Sequence, residues 1–241
     1  VSFKYPGAEN YALQNVNLKI KNGEHLAVVG RNGSGKTTFI KLMCRLYDVT
    51  DGEILINGVN IKDYTKDSII KLYSVVFQDF KIFSVSLKDN ICANSDFESD
   101  RFYDCLENAD IKERTEHMPN KENTYLYKDL DENGVEISGG EAQKLALARA
   151  LYKDAPIVVL DEPTAALDPI AENEIYSRFN TFVQGKTAIY ISHRLSSCAF
   201  CDKIAVFNNA KLAETGTHKD LLSAGGKYAE LWNAQAKYYI Q

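Results

Sequence analysis

Residues 30–37 read GRNGSGKT, and this glycine-rich stretch limits the possible folds of the chain more than any other part of the sequence. It fits the pattern G-x-x-x-x-G-K-[ST], in which glycines let the backbone curl so that successive N–H groups face phosphate oxygens. The apolar residues 26–29 before it predict a short buried strand, and residues 36–46 after it carry apolar side chains at helical spacing. Strand, glycine loop and helix in this order predict a binding site for a nucleoside triphosphate.

Two side chains of this loop carry chemistry of their own. Lys36 would neutralise the β- and γ-phosphate oxygens, and the hydroxyl of Thr37 can bind Mg²⁺. The N-terminus of the following helix adds positive potential for the same phosphates. A chance glycine-rich turn is the alternative interpretation, but the strand and the helix on either side disfavour it.

The length and the charge of the chain exclude several classes of protein. At 241 residues the chain is near the upper size for one hydrophobic core, so we expect one domain with two lobes. The formal net charge of −5 gives no general basic field, which argues against nucleic acid as a partner. Five cysteines are an odd number, which favours a reduced, cytosolic setting over a disulfide framework.

The sequence contains no candidate membrane span or leader. Apolar runs such as residues 157–160 are far too short to cross a bilayer, and the N-terminus has no signal-peptide pattern. We therefore expect the chain to be soluble by itself. It begins at Val1 without Met, inside a strand-like alternation, so we interpret it as a piece of a longer protein.

The remaining pattern predicts an α/β fold with an inserted helical lobe. Alternating residues at 1–5 and 16–20 predict an N-terminal antiparallel β layer, to which residues 53–61 add a hairpin around Asn-Gly. The helical lobe is predicted from short helical patterns at 87–92, 100–108 and 111–117. Further predicted elements are a helix from Ser138, a central parallel strand at 157–160, a helix at 169–182, a strand at 187–192, a hairpin-like pair at 203–212, a short helix after Thr217 and a final helix after Gly226.

Two adjacent carboxylates follow the apolar run at 157–160. In an open α/β sheet the end of such a strand lies where ligands bind, so Asp161 and Glu162 are predicted to reach the phosphate loop. Asp161 would hold Mg²⁺ directly or through water, and Glu162 could accept a proton from, or orient, the water that attacks the γ-phosphate. The alternative is an Asp-Glu pair that merely ends a strand.

Four further short motifs occur in a specific order. They are Gln78 after a short strand, ISGGE at 137–141, ALD at 166–168, and His193 within ISHR at 191–194. Together with the phosphate loop and LDE at 160–162, they resemble the coupling glutamine, signature, dimer loop and switch histidine of the nucleotide-binding domain of ATP-binding-cassette (ABC) transporters. Each motif is weak alone, but their order and spacing are specific, and the resemblance covers almost the whole chain.

The resemblance implies a P-loop NTPase core with a parallel sheet, an N-terminal antiparallel β layer and an inserted helical subdomain. The core would comprise residues 1–78 and 154–241 of a single ABC ATPase domain, and the helical subdomain about 79–153. A transmembrane domain is expected upstream of this chain, fused to its N-terminus.

The resemblance also implies a role for each matched residue. Catalysis would involve Glu162, His193, Lys36 and Gln78, and Mg²⁺ would be bound by Thr37, Gln78 and Asp161. ATP would contact Tyr5, Arg31, Asn32, Gly33, Ser34, Gly35, Lys36, Thr37, Thr38, Ser138, Gly139, Gly140, Glu141 and Asp168. Tyr5 lies 25 residues before Gly30, where the family places an aromatic ring that stacks on adenine. An ordinary strand tyrosine is the alternative for this position.

In this family two domains are expected to pack head to tail around ATP, with the phosphate loop of one domain facing the signature of the other. Residues 138–140 would open a helix and present N–H groups and a positive dipole end to the γ-phosphate. Hydrolysis would remove these contacts and release the dimer. The second domain is either another copy of this chain or a different chain.

Several segments resemble the exporter branch of the family, in which the domain follows its transmembrane helices in one polypeptide. They are QDFKIF at 78–83, DNI at 89–91 and GTH at 216–218. The domain would then lie on the cytoplasmic face of the cell membrane, and membrane coupling helices would contact the surface around residues 78–83. Core packing is an equal alternative for Phe80 and Phe83.

The signature departs from the usual pattern at two positions. The family usually has Gln in the fifth place and Arg three residues later, where this chain has Glu141 and Lys144. Since Ser138-x-x-Glu141 is a capping box, Glu141 can stabilise the helix end. The other hypothesis is that Glu141 places negative charge near the nucleotide of the partner and weakens the ATP sandwich, as in a heterodimer with one degenerate site.

Other classes of protein fit the sequence less well. A soluble ABC ATPase would usually join two cassettes in one chain or carry a long coiled coil, and neither pattern occurs here. A P-loop kinase would have no reason for the SGG motif or for His193, and a pure binding module would have none for Glu162. The transported substrate is chosen by membrane helices, so this chain does not reveal it.

Overall fold

The computed structural model describes residues 1–93, 95–162, 182–192 and 195–239. It divides into two compact units. The first unit comprises Val1–Tyr73, Pro156–Asp161 and Gly185–Gln241, and the second comprises Ser74–Ala155 and Glu162–Gln184. Asp168, His193 and most of the helix predicted at 169–182 lie outside the described residues.

The described residues form eight strands and eight α-helices. The strands are β1 (His25–Gly30), β2 (Leu55–Ile56), β3 (Val59–Asn60), β4 (Tyr73–Val76), β5 (Ile157–Asp161), β6 (Thr187–Ile191), β7 (Lys203–Asn208) and β8 (Lys211–Gly216). The α-helices are α1 (Lys36–Met43), α2 (Lys66–Leu72), α3 (Leu87–Cys92), α4 (Ser99–Asn108), α5 (Lys112–Glu116), α6 (Gly139–Lys153), α7 (His218–Ser223) and α8 (Lys227–Tyr239). Among them, no helix combines the length and apolarity needed to cross a bilayer.

The first unit is built on parallel strands. Five of its strands lie in the order β5-β6-β1-β7-β8, and only β8 runs antiparallel to its neighbour. The sequences of β1, β5 and β6 are nearly continuous apolar runs because both faces of a parallel sheet are covered. The predicted strands at 157–160 and 187–192 and the hairpin-like pair at 203–212 are confirmed as β5, β6 and β7-β8.

The register of these strands aligns their carboxyl ends. Asp161, the last residue of β5, is the partner of Ile191 in β6, and Ile191 is the partner of Val28 in β1. Val28 lies two residues before Gly30, where β1 ends. The phosphate loop and Asp161 therefore lie at the same edge of the sheet.

The N-terminal β layer is only partly regular. The predicted hairpin forms as β2-β3 with positive φ at both Asn57 and Gly58, as a type I′ turn requires. No regular strand forms at 1–5 or 16–20 of the described chain. Residues 1–5 form isolated bridges, Phe3 to Leu13 and Ser2 to Asp51, and the backbones of Val1 and Val16 exchange hydrogen bonds. The predicted antiparallel layer is therefore present as the β2-β3 hairpin and these isolated pairings, and Asn15, with a positive φ of 51°, lies between the two paired segments.

The second unit is helical. α3 and α4 pack on α6, whose alanines 142, 146 and 150 are buried and let the neighbouring helices approach closely. α3 has the predicted bounds, α4 begins one residue earlier than predicted, and α5 is one residue shorter than predicted at each end. The helix predicted to start at Ser138 is confirmed, with Ser138 as its N-cap.

Candidate functional site

The loop between β1 and α1 has a backbone that requires glycine. Gly33 and Gly35 have φ values of 75° and 109°, which L side chains rarely adopt. A Cβ on Gly30 would lie 2.2 Å from the carbonyl oxygen of Phe207, and a Cβ on Gly35 would lie 2.6 Å from Cδ2 of Leu13. The loop is therefore wound tightly against β7 at Gly30 and against the N-terminal segment at Gly35, whereas Gly33 has open space beside it and is required only by its backbone angle.

Lys36 is buried inside this loop. The residue is 6% exposed, and its Nζ donates hydrogen bonds to the carbonyl oxygens of Gly30 at 2.9 Å and Arg31 at 3.2 Å. The first turn of α1, which begins at Lys36, has no acidic residue, so the positive helix end is not neutralised from within the helix. Ammonium and helix end together form a favourable site for phosphate.

Thr37 and Ser34 add two hydroxyl groups to the loop. Thr37 is half-buried at the start of α1, and Ser34 is 4% exposed with an Oγ that is buried without a hydrogen-bond partner among the described residues. A cavity of about 330 Å³ lies beside the loop, between Arg31–Ser34, the end of β7 and α8. Arg31 forms an exposed ion pair across it with Glu230 of α8, at 3.2 Å.

Tyr5 lies beside Thr38, in the first turn of α1. Its phenol oxygen is 3.1 Å from Oγ1 of the buried Thr38. The half-buried ring of Tyr5 packs edge-on against Phe3 and Tyr47, with centroid distances of 4.9 and 5.2 Å. The first unit thus brings the predicted adenine-stacking residue next to the phosphate loop.

Asp161 and Glu162 have different environments although they are adjacent in sequence. Asp161 ends β5 and is 1% exposed, at the same sheet edge as the loop. Glu162 is half-buried with a φ of 51°, so the chain turns at this residue, and its carbonyl oxygen accepts a hydrogen bond from Nε2 of Gln143 at 3.3 Å. The two neighbours therefore differ in burial and in backbone conformation.

Gln78 is exposed, in a tight turn that follows β4. The segment after it is held on α6 by Arg149, which donates hydrogen bonds to the carbonyl oxygens of Lys81 at 2.9 Å and Asn90 at 2.6 Å. The Arg149 guanidinium also lies 5.7 Å from the ring centroid of Phe83. Phe83 is 59% exposed, which favours a surface role over core packing for this residue, while Phe80 is half-buried.

The signature forms the N-terminus of α6. Ser138 Oγ accepts a hydrogen bond from the Glu141 backbone N–H at 3.3 Å, and the Glu141 carboxylate accepts one from the Ser138 backbone N–H at 2.8 Å. The capping box predicted from the sequence is therefore confirmed. Gly139 is exposed, and a Cβ there would meet nothing within 4 Å.

One residue near the signature, Arg114, was not predicted from the sequence. Arg114 of α5 donates a hydrogen bond from Nε to the Glu141 carboxylate at 2.7 Å. Partial burial raises the pKa of the Glu141 carboxyl, but hydrogen bonds from Ser138 and Arg114 outweigh it, so the pKa is lowered overall. No local pattern in the sequence marks Arg114, because it lies 27 residues before its partner.

Comparison with known proteins identifies the family. The sequence pattern of the family described as "ABC transporter" matches residues 13–165. The chain is 40% identical over 98% of its length to an ATP-dependent lipid A-core flippase of Idiomarina loihiensis, and 39% identical over 96% of its length to the subtilin transport ATP-binding protein SpaT of Bacillus subtilis. It spans 40% and 38% of the length of these two relatives.

A solved structure gives the same answer at the level of the fold. The chain superposes on a bacterial Atm1-family ABC exporter with ATP bound, with a TM-score of 0.91 and 34% sequence identity. The similarity covers 98% of this chain and 41% of that one. The α/β fold predicted from the phosphate loop is therefore confirmed, and this chain belongs to the ABC transporter family.

Proposed function

We propose that the chain is the ATP-hydrolysing domain of an ABC exporter. The observation that carries the proposal is the phosphate loop with its buried Lys36, at the same sheet edge as Asp161. The printed names of the relatives, an ATP-dependent flippase and a transport ATP-binding protein, support it. A soluble ABC ATPase is disfavoured because these relatives act in transport.

In this proposal ATP is bound by backbone and side chains of the first unit. The N–H groups of Arg31 to Thr38 and the Lys36 ammonium surround the phosphates, and the positive end of α1 points at the same charge. Tyr5 stacks on adenine from its position beside Thr38. Arg31 is already directed by its ion pair with Glu230, so α8 helps to hold the rim of the loop.

Thr37 and Asp161 fit a magnesium site. A hydroxyl and a carboxylate are the hard oxygen ligands that Mg²⁺ prefers. Asp161 is buried at the sheet edge where the loop begins. Mg²⁺ bound there supplies positive charge against the phosphate oxygens. Gln78 is assigned to the same ion by the family pattern alone.

Glu162 is the general base of the proposed reaction. It follows the magnesium-binding carboxylate directly, and its backbone is fixed by the hydrogen bond from Gln143. Its side chain takes a proton from the water that attacks the γ-phosphorus, and the bond to the β–γ bridging oxygen breaks to give ADP and phosphate. His193 and Gln78 assist by contacts to the γ-phosphate and the water, as in the family pattern.

The loop is half of a complete site in this proposal. The other half is the N-terminus of α6 from a second nucleotide-binding domain, which we take to be another copy of this chain. Ser138, Gly139 and Gly140 of that copy present N–H groups to the γ-phosphate, and Asp168 lies at the seam. A transmembrane domain fused upstream would place both domains at the cytoplasmic face of a membrane, with residues 79–153 as the helical subdomain and the rest as the core.

Replacement of Tyr5 tests the adenine contact. Tyr5→Ala is expected to weaken ATP binding on the order of tenfold, because stacking of a base on an aromatic ring contributes about 1–3 kcal/mol. Tyr5→Phe is the matched control, since it keeps the ring and loses only the hydroxyl that faces Thr38. Calorimetric titration with ATP measures both. Equal affinities of the two variants would refute stacking.

The reaction itself is tested with isotopically labelled water. In water enriched in ¹⁸O, the chain with ATP and Mg²⁺ should release phosphate that carries one oxygen atom from water, without a second substrate. The Lys36→Ala chain, purified in parallel, should release none, which excludes a contaminating ATPase. Release of ADP only in the presence of a small-molecule acceptor, with no label in phosphate, would instead indicate a kinase.

A further inference from the structure

The two unusual signature positions both bind the same short segment of the helical unit. Glu141 is paired with Arg114, and Lys144 is paired with the Asp110 carboxylate at 2.6 Å and with the Asp110 carbonyl oxygen at 3.0 Å. On α6 the negative Glu141 comes before the positive Lys144. On the facing segment the negative Asp110 comes before the positive Arg114. Both departures from the family pattern are therefore matched by partners in this chain.

The Glu141 carboxylate occupies the positive end of α6. Oε2 accepts hydrogen bonds from the Ser138 backbone N–H and from Ser138 Oγ, both at 2.8 Å, while Oε1 accepts one from Arg114 Nε at 2.7 Å. The lowered pKa means that the carboxyl is ionised near neutral pH. Its negative charge therefore lies at the helix end that the proposed function directs at a γ-phosphate.

A bare carboxylate at this position would oppose ATP binding from a second chain. It would cancel much of the partial positive charge of the helix end, which is about half an elementary charge, and would repel the phosphate. The Arg114 side chain is 41% exposed and the Glu141 side chain is 26% exposed, so both charges act close to the surface that a second chain would cover. The positive charge of the Arg114 guanidinium offsets the negative charge of the Glu141 carboxylate.

We propose that Arg114 is a positioning residue of the ATP sandwich: it neutralises Glu141 and holds that carboxylate on Ser138, so that the N-terminus of α6 can accept the γ-phosphate of the nucleotide on the second chain. The inference rests on the proposed function, because it requires ATP between two domains. It also selects between the two hypotheses for Glu141. Glu141 stabilises the helix end, and its charge weakens the sandwich only when Arg114 is removed.

The test is a set of charge variants in the Glu162→Gln background, in which ATP is expected to be hydrolysed at least about a hundredfold more slowly. Dissociation constants of the ATP-bound dimer are measured by analytical ultracentrifugation at low and at high salt. Arg114→Gln is expected to weaken the dimer on the order of tenfold at low salt, and Arg114→Lys to retain most of the affinity. The double variant Arg114→Gln and Glu141→Gln, which also lacks the carboxylate, should regain the affinity of the dimer.

Two further measurements distinguish a charge effect from a loss of structure. The Arg114→Gln defect should shrink at high salt, because the Debye length falls from about 10 Å at 0.1 M to about 3 Å at 1 M. Lys144→Gln also removes one positive charge, three residues after Glu141 on α6, and should change the dissociation constant of the dimer much less. Thermal unfolding of each monomer shows whether the variants are folded.

The results separate this inference from the proposed function. A dimer of unchanged affinity in Arg114→Gln, or a double variant as weak as Arg114→Gln alone, would overturn the role of Arg114 while leaving the ATP sandwich intact. Absence of any ATP-dependent dimer in the Glu162→Gln chain would contradict the proposed function itself, and the inference would fall with it.

Discussion

Glu162→Gln is expected to lower the rate of ATP hydrolysis on the order of a hundredfold to ten-thousandfold, because general-base catalysis contributes about that much. Gln has nearly the same size and shape as Glu but cannot accept the proton of the attacking water. The hydrogen bond from Gln143 goes to the backbone carbonyl of residue 162, so it survives the substitution. ATP affinity should therefore remain close to that of the unmodified chain.

Phosphate release at saturating ATP and calorimetric ATP binding check the two halves of this prediction. Glu9→Gln is a suitable control, since it makes the same change of charge at an exposed position. It should hydrolyse ATP like the unmodified chain. If Glu162→Gln also turned over at the unmodified rate, Glu162 would not be the base.

Lys36→Ala is expected to weaken ATP binding on the order of a hundredfold or more, because truncating one partner of a buried charged contact costs about 2–5 kcal/mol. The buried ammonium is held by the carbonyl oxygens of Gly30 and Arg31, so its direction is set before ATP arrives. Hydrolysis should be lost together with binding, in contrast to Glu162→Gln, which separates the two.

The matched control for this change is Lys41→Ala, which removes the same charge from the last turn of α1. It should bind ATP with nearly unchanged affinity. Circular dichroism and thermal unfolding of both variants exclude a collapsed loop as the cause. An Lys36→Ala chain that binds ATP as tightly as Lys41→Ala would refute the assignment of Lys36 to the phosphates.

The features that were predicted well are those that short stretches of sequence determine. The strand, loop and helix around residues 30–37 follow from glycines and local apolar spacing, and the bounds of α3 follow from Ser86 as an N-cap before an apolar pattern. The capping box at Ser138 likewise needs only residues three apart. Each of these contacts is local, so its cause can be seen in the sequence.

The features that were missed depend on contacts distant in sequence or on backbone angles that the residue type does not dictate. Arg114 has no feature of its own that links it to Glu141, and the positive φ of Glu162 is uncommon for that residue. The helix α2 was also missed, although Thr65 caps it through a hydrogen bond from the Ser68 backbone N–H.

In the proposed mechanism ATP joins two copies of this chain, with the phosphate loop of one copy against the signature of the other. The most direct test is the mass of the Glu162→Gln chain in solution, measured by light scattering after size-exclusion chromatography with ATP, ADP or no nucleotide. With ATP we expect a species of twice the 27.0 kDa of one chain, and with ADP or without nucleotide a single chain. A species of 27.0 kDa at saturating ATP would contradict it.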